Sequence, residues 1–159
     1  MKISKERNKK RYIRYKVDRD YLKWYRVVRR YTEIRYGLSP SDLELLMYLY
    51  SEDFFNFYKF VEYCNMLGWD KGRFSRFVDQ GYIHMWRDKV GSEHRLYELT
   101  RQGRHIVTRM YKMLNMEEEI PETPQKNPVF KKSAKFSEKT LAIGIQSFNE
   151  EVRKKKRGY

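Results

Sequence analysis

Asn56-Phe57-Tyr58-Lys59-Phe60-Val61-Glu62-Tyr63-Cys64-Asn65-Met66 opens the stretch that decides the fold, and that stretch runs on to Gly103. Phe57, Phe60, Val61 and Cys64 fall at i, i+3, i+4 and i+7, the spacing of one buried helical face. Leu67-Gly68 reads as a turn. Asp70–Gln80 repeats the helical pattern, with Phe74, Phe77 and Val78 on one side. It stops at Gly81, the residue type that follows a helix in the left-handed conformation. Tyr82–Arg87 then alternates and is rich in aromatic and β-branched residues, and Arg95–Leu99 does much the same. Between them, Asp88-Lys89-Val90-Gly91-Ser92-Glu93-His94 has the composition of a hairpin loop. The order is helix, turn, helix, hairpin.

That is the order of a winged helix-turn-helix, and two motifs add to it. Phe74-Ser75-Arg76-Phe77-Val78-Asp79-Gln80-Gly81-Tyr82-Ile83 resembles the end of a recognition helix running into a wing. Arg95-Leu96-Tyr97-Glu98-Leu99-Thr100-Arg101-Gln102-Gly103 resembles the R-x-Y-x-L-T-x-x-G run that closes a wing and opens the next helix. Both are similar to the MarR and PadR families of bacterial and phage winged-helix regulators, over roughly Tyr36 to Leu114. The resemblance implies a mainly α chain with a β-hairpin wing (α+β), binding to double-stranded DNA, and a role in transcriptional regulation. It also implies a homodimer through the helix before the winged domain, at 17–36; the apolar stripe of the C-terminal helix, read below, offers a second dimer contact. With a single cysteine in the chain, the compartment expected is the cytoplasm of a bacterial host cell, or a virion.

With Phe74, Phe77 and Val78 inward, a step of about 100° per residue sends Arg76 outward, flanked by Gly72, Arg73, Asp79 and Gln80. In this architecture that face lies in the major groove. Arg73 and Arg76 suit guanine there, Gln80 suits adenine, and Lys71 near the helix start suits a phosphate. Arg87, Lys89, His94 and Arg95 on the wing suit the minor groove or the backbone. The plainer reading of all eight is a solvated surface. Asp79, Asp88 and Glu93 nearby are repelled by phosphate.

Charge placement bears on the same question. The chain of 159 residues carries a formal net charge of +14, with 14 Lys/Arg against 4 acids in residues 1–36 and 10 against 3 in residues 126–159. The middle, 37–125, is slightly acidic, so phosphate attraction is expected to come from the ends. Residues 1–16 form a basic arm in which Arg7, Lys9, Lys10, Arg11, Arg14 and Lys16 alternate with Tyr12 and Tyr15. Such an arm reads as nucleic-acid-binding, with a solubilising tail as the bland alternative. The near-neutral core also supports a reading of another class, a non-enzymatic docking component of a nucleoprotein or phage assembly whose basic ends are ordered by partner proteins.

Around the decisive stretch, residues 17–119 are expected to form the winged-helix domain. Val17–Tyr36 reads as a long helix opened by Asp18 or Asp20, with Val17, Tyr21, Trp24, Val28 and Tyr31 in one stripe for core or dimer. Ser39-Pro40-Ser41-Asp42 starts another helix, with Pro where its missing N–H costs little. Phe54, Phe55, Phe57 and Tyr58 are more rings than one helix face can bury, and an exposed remainder marks a contact surface. Thr100 caps a helix with Ile106, Val107, Met110, Met113 and Leu114 on its apolar face. Glu117-Glu118-Glu119 is expected to be solvated. Residues 120–135, with three of the four prolines, read as an extended linker. Residues 136–159 read as a basic amphipathic helix capped by Ser137, with Leu141, Ile145, Phe148 and Val152 as its stripe. That stripe has three candidate partners: its own domain, its copy in a dimer, or another protein. Arg153, Lys154, Lys155, Lys156 and Arg157 at its end suit phosphate.

No catalytic constellation is present. His84, His94 and His105 lack Cys or acidic partners at metal-ligand spacing, and there is no phosphate loop or nucleophile elbow. The expectation is a protein without enzymatic activity, metal or cofactor. A single cysteine, Cys64, excludes an intramolecular disulfide and falls on an apolar face as a small hydrophobe. No segment is long and apolar enough for a membrane span.

Overall fold

The computed structural model describes residues 22–158. It is mainly helical, with six α-helices and one small antiparallel hairpin: α1 (Tyr25–Tyr36), α2 (Pro40–Ser51), α3 (Phe57–Leu67), α4 (Arg73–Asp79), β1 (Ile83–Arg87), β2 (Leu96–Leu99), α5 (Arg101–Leu114) and α6 (Phe136–Lys156). A single 3₁₀ turn, Pro128–Phe130, lies between α5 and α6. The expected basic arm, with Arg7, Lys9, Lys10 and Arg11, lies outside the described residues. So do Asp18 and Asp20.

Local chemistry sets the boundaries. Ser39 and Asp42 cap α2 reciprocally: the Ser39 Oγ accepts from the Asp42 N–H, and Asp42 Oδ2 accepts from the Ser39 N–H. Asn56 caps α3 by accepting from the Lys59 N–H at 2.8 Å, and Gly68 ends it at φ 68°. Helix α4 is shorter than its sequence pattern suggests. The Asp70 carboxylate accepts from the Gly72 N–H at 3.1 Å, which makes Asp70–Gly72 a turn and delays the helix to Arg73. Gly81, at φ 77°, turns the chain out of α4, and the Tyr82 N–H closes on the Phe77 carbonyl at 2.8 Å.

In the hairpin, Ile83 pairs with Leu99, His84 with Glu98, Met85 with Tyr97 and Arg87 with Leu96, leaving Trp86 as a bulge. Tyr97 also pairs on its other side with Phe55, by two backbone bonds of 3.0 and 2.8 Å. The segment between α2 and α3 is thereby tied to β2. Thr100 caps α5 by accepting from Gly103 N–H and donates to the Gly81 carbonyl at 2.5 Å. A Cβ on Gly103 would stand 2.9 Å from the Tyr82 carbonyl oxygen, so only glycine allows α5 to start this close to the hairpin.

The core is continuous from Val28 and Tyr31 of α1 through Leu43, Leu46 and Leu49 of α2, Phe60, Phe77 and Ile83, to Ile106, Val107 and Met110 of α5. It extends into α6, where Ile145, Phe148 and Val152 are fully buried. Of the three partners open to the α6 stripe, its own domain is the one observed. Trp24 packs edge-on against Phe148 at 5.8 Å, and its indole N–H donates to Glu151. Trp24, Val28 and Tyr31, the part of the first stripe within the described residues, and the α6 stripe thus join one core within a single chain.

Residues 120–135 differ from the extended linker expected of them. Ile120, Asn127 and Val129 are buried. The Asn149 amide of α6 binds the Ile120 N–H and carbonyl, both at 2.8 Å, and the Glu122 carboxylate at 2.7 Å. The triple glutamate is engaged too: Glu118 binds Arg109, and Glu119 binds Arg153. Helix α6 starts one residue before Ser137, which is therefore not its cap; the Lys135 N–H donates to Glu138 instead.

Asn149→Ala leaves the Ile120 N–H and carbonyl buried without partners. Each orphaned group costs about 1–3 kcal/mol. The expected outcome is a loss of about 2–4 kcal/mol in urea unfolding, with amide exchange in α6 accelerating more than in α3.

Candidate nucleic-acid interface

Helix α4 presents Ser75, Arg76, Asp79 and Gln80 to solvent. Phe77 is fully buried, and Phe74 packs edge-on between Phe60 at 5.1 Å and Tyr97 at 4.8 Å. Val78, expected inward, is 40% exposed. Seven residues make just under two turns, too short for a third inward position once two phenylalanines fill the contact.

The two arginines of α4 converge on α2. Asp42 Oδ1 accepts from Arg73 Nη1 and, at 2.7 Å, from Arg76 Nη2. Arg73 is mostly covered, with 17% of its side chain accessible, whereas Arg76 keeps 46%. Arg73 is thus a structural cation in this chain, and Arg76 is half available. Burial alone would raise the Asp42 carboxyl. The bonds from Ser39 and the two guanidiniums outweigh that and hold it below its ordinary value. Lys71 and Gln80 flank the pair, exposed and bound to no acid among the described residues.

The hairpin is similarly balanced. Arg87 binds Glu93 at 2.8 Å, and Arg95 binds Asp88 at 2.7 Å. His94 lies against the Tyr58 ring, centroids 4.7 Å apart. Among the described residues, Lys89 and His94 are the two of the four expected wing contacts with no carboxylate on them, and Lys89 is exposed. On the other face, Glu98 takes both His84, at 2.8 Å, and Arg104. The structure therefore brings Lys71, Arg73, Arg76, Gln80, Arg87, Lys89, His94 and Arg95 onto neighbouring elements, and supplies acids to four of them.

The C-terminal cations belong to a different region. Arg153 is held by Glu119 and Glu122, and Lys155 Nζ donates to the Asn115 carbonyl just past the end of α5. Lys154, Lys156 and Arg157 stay exposed. The 14 residues of α5 separate that end from the hairpin base by about 20 Å. Among the described residues there is no group of three or more side chains able to hold a metal, and no helix long and apolar enough to cross a membrane. Cys64 is buried, which pushes its thiol up and leaves it inert.

Sequence reasoning set Asp88 and Glu93 against the wing cations but missed Asp42 as the partner of Arg73 and Arg76, and Trp86 as an exposed ring. The Ser39-Pro40-Ser41-Asp42 cap was visible. Its second use was not, because one carboxylate serving both a cap and a helix in another part of the chain leaves no local pattern.

Asp42→Ala removes a cap bond and the partner of a largely covered guanidinium. The expected cost is about 2–3 kcal/mol in urea unfolding at neutral pH, low for a buried pair because Arg76 is half in water. A carboxyl lowered in the folded state contributes stability above its unfolded value, and that contribution is lost as pH falls through the folded one. The gap between the native chain and Asp42→Asn should therefore be full at pH 7 and close below about pH 3.9. Comparison with family models, with curated proteins and with solved structures gave no match to this chain.

Proposed function

We propose that this chain is a winged-helix protein that binds double-stranded DNA, with α4 as the helix offered to the major groove and the β1–β2 hairpin as the wing. One observation carries the reading. Tyr97 is paired on one edge to Phe55 and on the other to Met85, so the order helix, short extended segment, two helices, hairpin closes into one unit beside α4. The outward residues Arg76 and Gln80 then supply base contacts, and Lys71 and Lys89 phosphate contacts. Arg73 positions α4 from beneath rather than touching DNA. Regulation of transcription, in the manner of the MarR and PadR proteins the sequence resembles, is the role this arrangement serves.

A second reading is favoured by a specific feature. Tyr50 and Tyr111 form one exposed ring pair and Phe54 and Trp86 another, both with rings about two-fifths to one-half accessible. Rings in that state suit a protein partner, as in a docking component of a nucleoprotein assembly.

The two are separated by binding to random and genomic duplex at near-physiological salt, comparing the native chain with Arg76→Ala and Asp42→Asn. The regulator reading expects selectivity lost in Arg76→Ala. It also expects Asp42→Asn to bind duplex more tightly, because Arg76 then reaches its base without giving up a carboxylate and one negative charge is gone from the interface. Weak, unselective binding indifferent to both changes favours the assembly role.

A further inference from the structure

A groove of about 460 Å³ lies between the first turn of α3 and the hairpin, lined by Phe57, Tyr58, Lys89, His94, Arg95 and Tyr97, and of these the duplex reading uses only Lys89. Its size is that of a small-molecule cleft. Its rings are exposed where no core needs them, Tyr58 at 66% and Phe57 at 45%. They are nonetheless held in place. Phe57 meets Phe74 edge-on at 5.1 Å, Tyr58 rests on the His94 imidazole, and Tyr97 is wedged against Phe74. At the rim, Asp88 holds Arg95 through Nε at 2.7 Å and the Tyr97 hydroxyl lies beside the same guanidinium, while 58% of the arginine side chain stays open to a second anion. Lys89 adds a free ammonium beside it.

A purely apolar ligand has no use for two cations, and an acidic peptide has no use for four aromatic faces. A flat π system carrying a phosphate uses both. We infer that this groove takes an unpaired nucleotide of single-stranded nucleic acid, its base laid on Tyr58 and Phe57 and its phosphate on Lys89 and Arg95. Bases in a duplex have their faces covered by their neighbours, so the rings cannot serve the duplex contact. The site stands or falls apart from the reading of α4.

The test uses the full chain and fluorescence anisotropy with a short labelled oligothymidylate, an abasic strand of the same length and a duplex. Stacking predicts that oligothymidylate binds roughly ten-fold tighter than the abasic strand. Tyr58→Ala and Tyr58→Leu should both remove most of that preference without changing the salt slope. Leucine keeps apolar bulk but has no π face. Lys89→Ala should keep the preference and flatten the slope by about 0.7. Equal affinity for the base-bearing and abasic strands overturns the inference. So does a preference that survives Tyr58→Leu, or a Tyr58→Ala variant that weakens duplex and oligothymidylate equally.

Discussion

The Asp42 carboxylate is the constraint on which the face of α4 depends. It caps α2 through Ser39 and receives two guanidiniums from α4, joining residues more than thirty positions apart. A helix of seven residues has little stability of its own. What fixes α4 is Phe77 and Phe74 beneath it and this carboxylate at its side. The same contact limits what α4 offers outward. A guanidinium already paired must exchange one anion for another, so a phosphate arriving at Arg76 gains only the difference between two similar contacts. Arg73, almost covered, makes no such exchange without losing its packing. The ion pair thus trades attraction for orientation, and on the proposed duplex reading Arg76 would contribute to selectivity more than to affinity.

Charge compensation on the hairpin follows the same pattern. Arg87 with Glu93 and Arg95 with Asp88 are surface pairs, and each adds at most about a kilocalorie to stability. Their larger effect is on the field. Near α4 and the hairpin, only Lys71 and Lys89 of the expected contacts present a full uncompensated charge. The core surface therefore exerts weak long-range pull on a polyanion, in keeping with the slightly acidic count for residues 37–125. Whatever approaches this face is held by shape and ring surface once it arrives. The exposed Tyr58, Phe57, Phe54 and Trp86 rings supply that kind of contact.

How much of this was legible beforehand depended on whether the signal was local. The helices around Phe60 and Phe77, the Thr100 cap, the Gly81 turn and the hairpin all announce themselves within ten residues, through periodicity and capping chemistry. The stripe Ile145, Phe148, Val152 was equally plain, but its partner was not. That partner is set by Asn149 binding the backbone of Ile120, a tertiary contact without a sequence pattern. Prolines at 121, 124 and 128 made residues 120–135 look like a leash, although proline is as compatible with a packed turn as with an open one. Val78 failed for a geometric reason: the Asp70 turn shortened α4 and removed the room for a third inward side chain. In the candidate interface the cations were legible, and so were Asp88 and Glu93 close by in the hairpin, whereas Asp42, thirty-one positions before Arg73, was not.

Docking α6 changes what its basic end can do. On a flexible linker, Arg153–Arg157 would sample a wide volume and meet phosphates wherever they lay. Bound through Asn149, Phe148 and Trp24, and tied at Lys155 to the end of α5, those cations hold a fixed separation of about 20 Å from the hairpin base. A fixed separation imposes a condition that a leash does not, because both regions can touch one polyanion only if its backbone matches their spacing. Where it does, the ordering cost for α6 has already been met in folding, and the second contact adds to the first without it. For a polyanion of the proposed kind, the rigid attachment would therefore make the partner's shape, rather than its charge alone, the condition for holding both contacts.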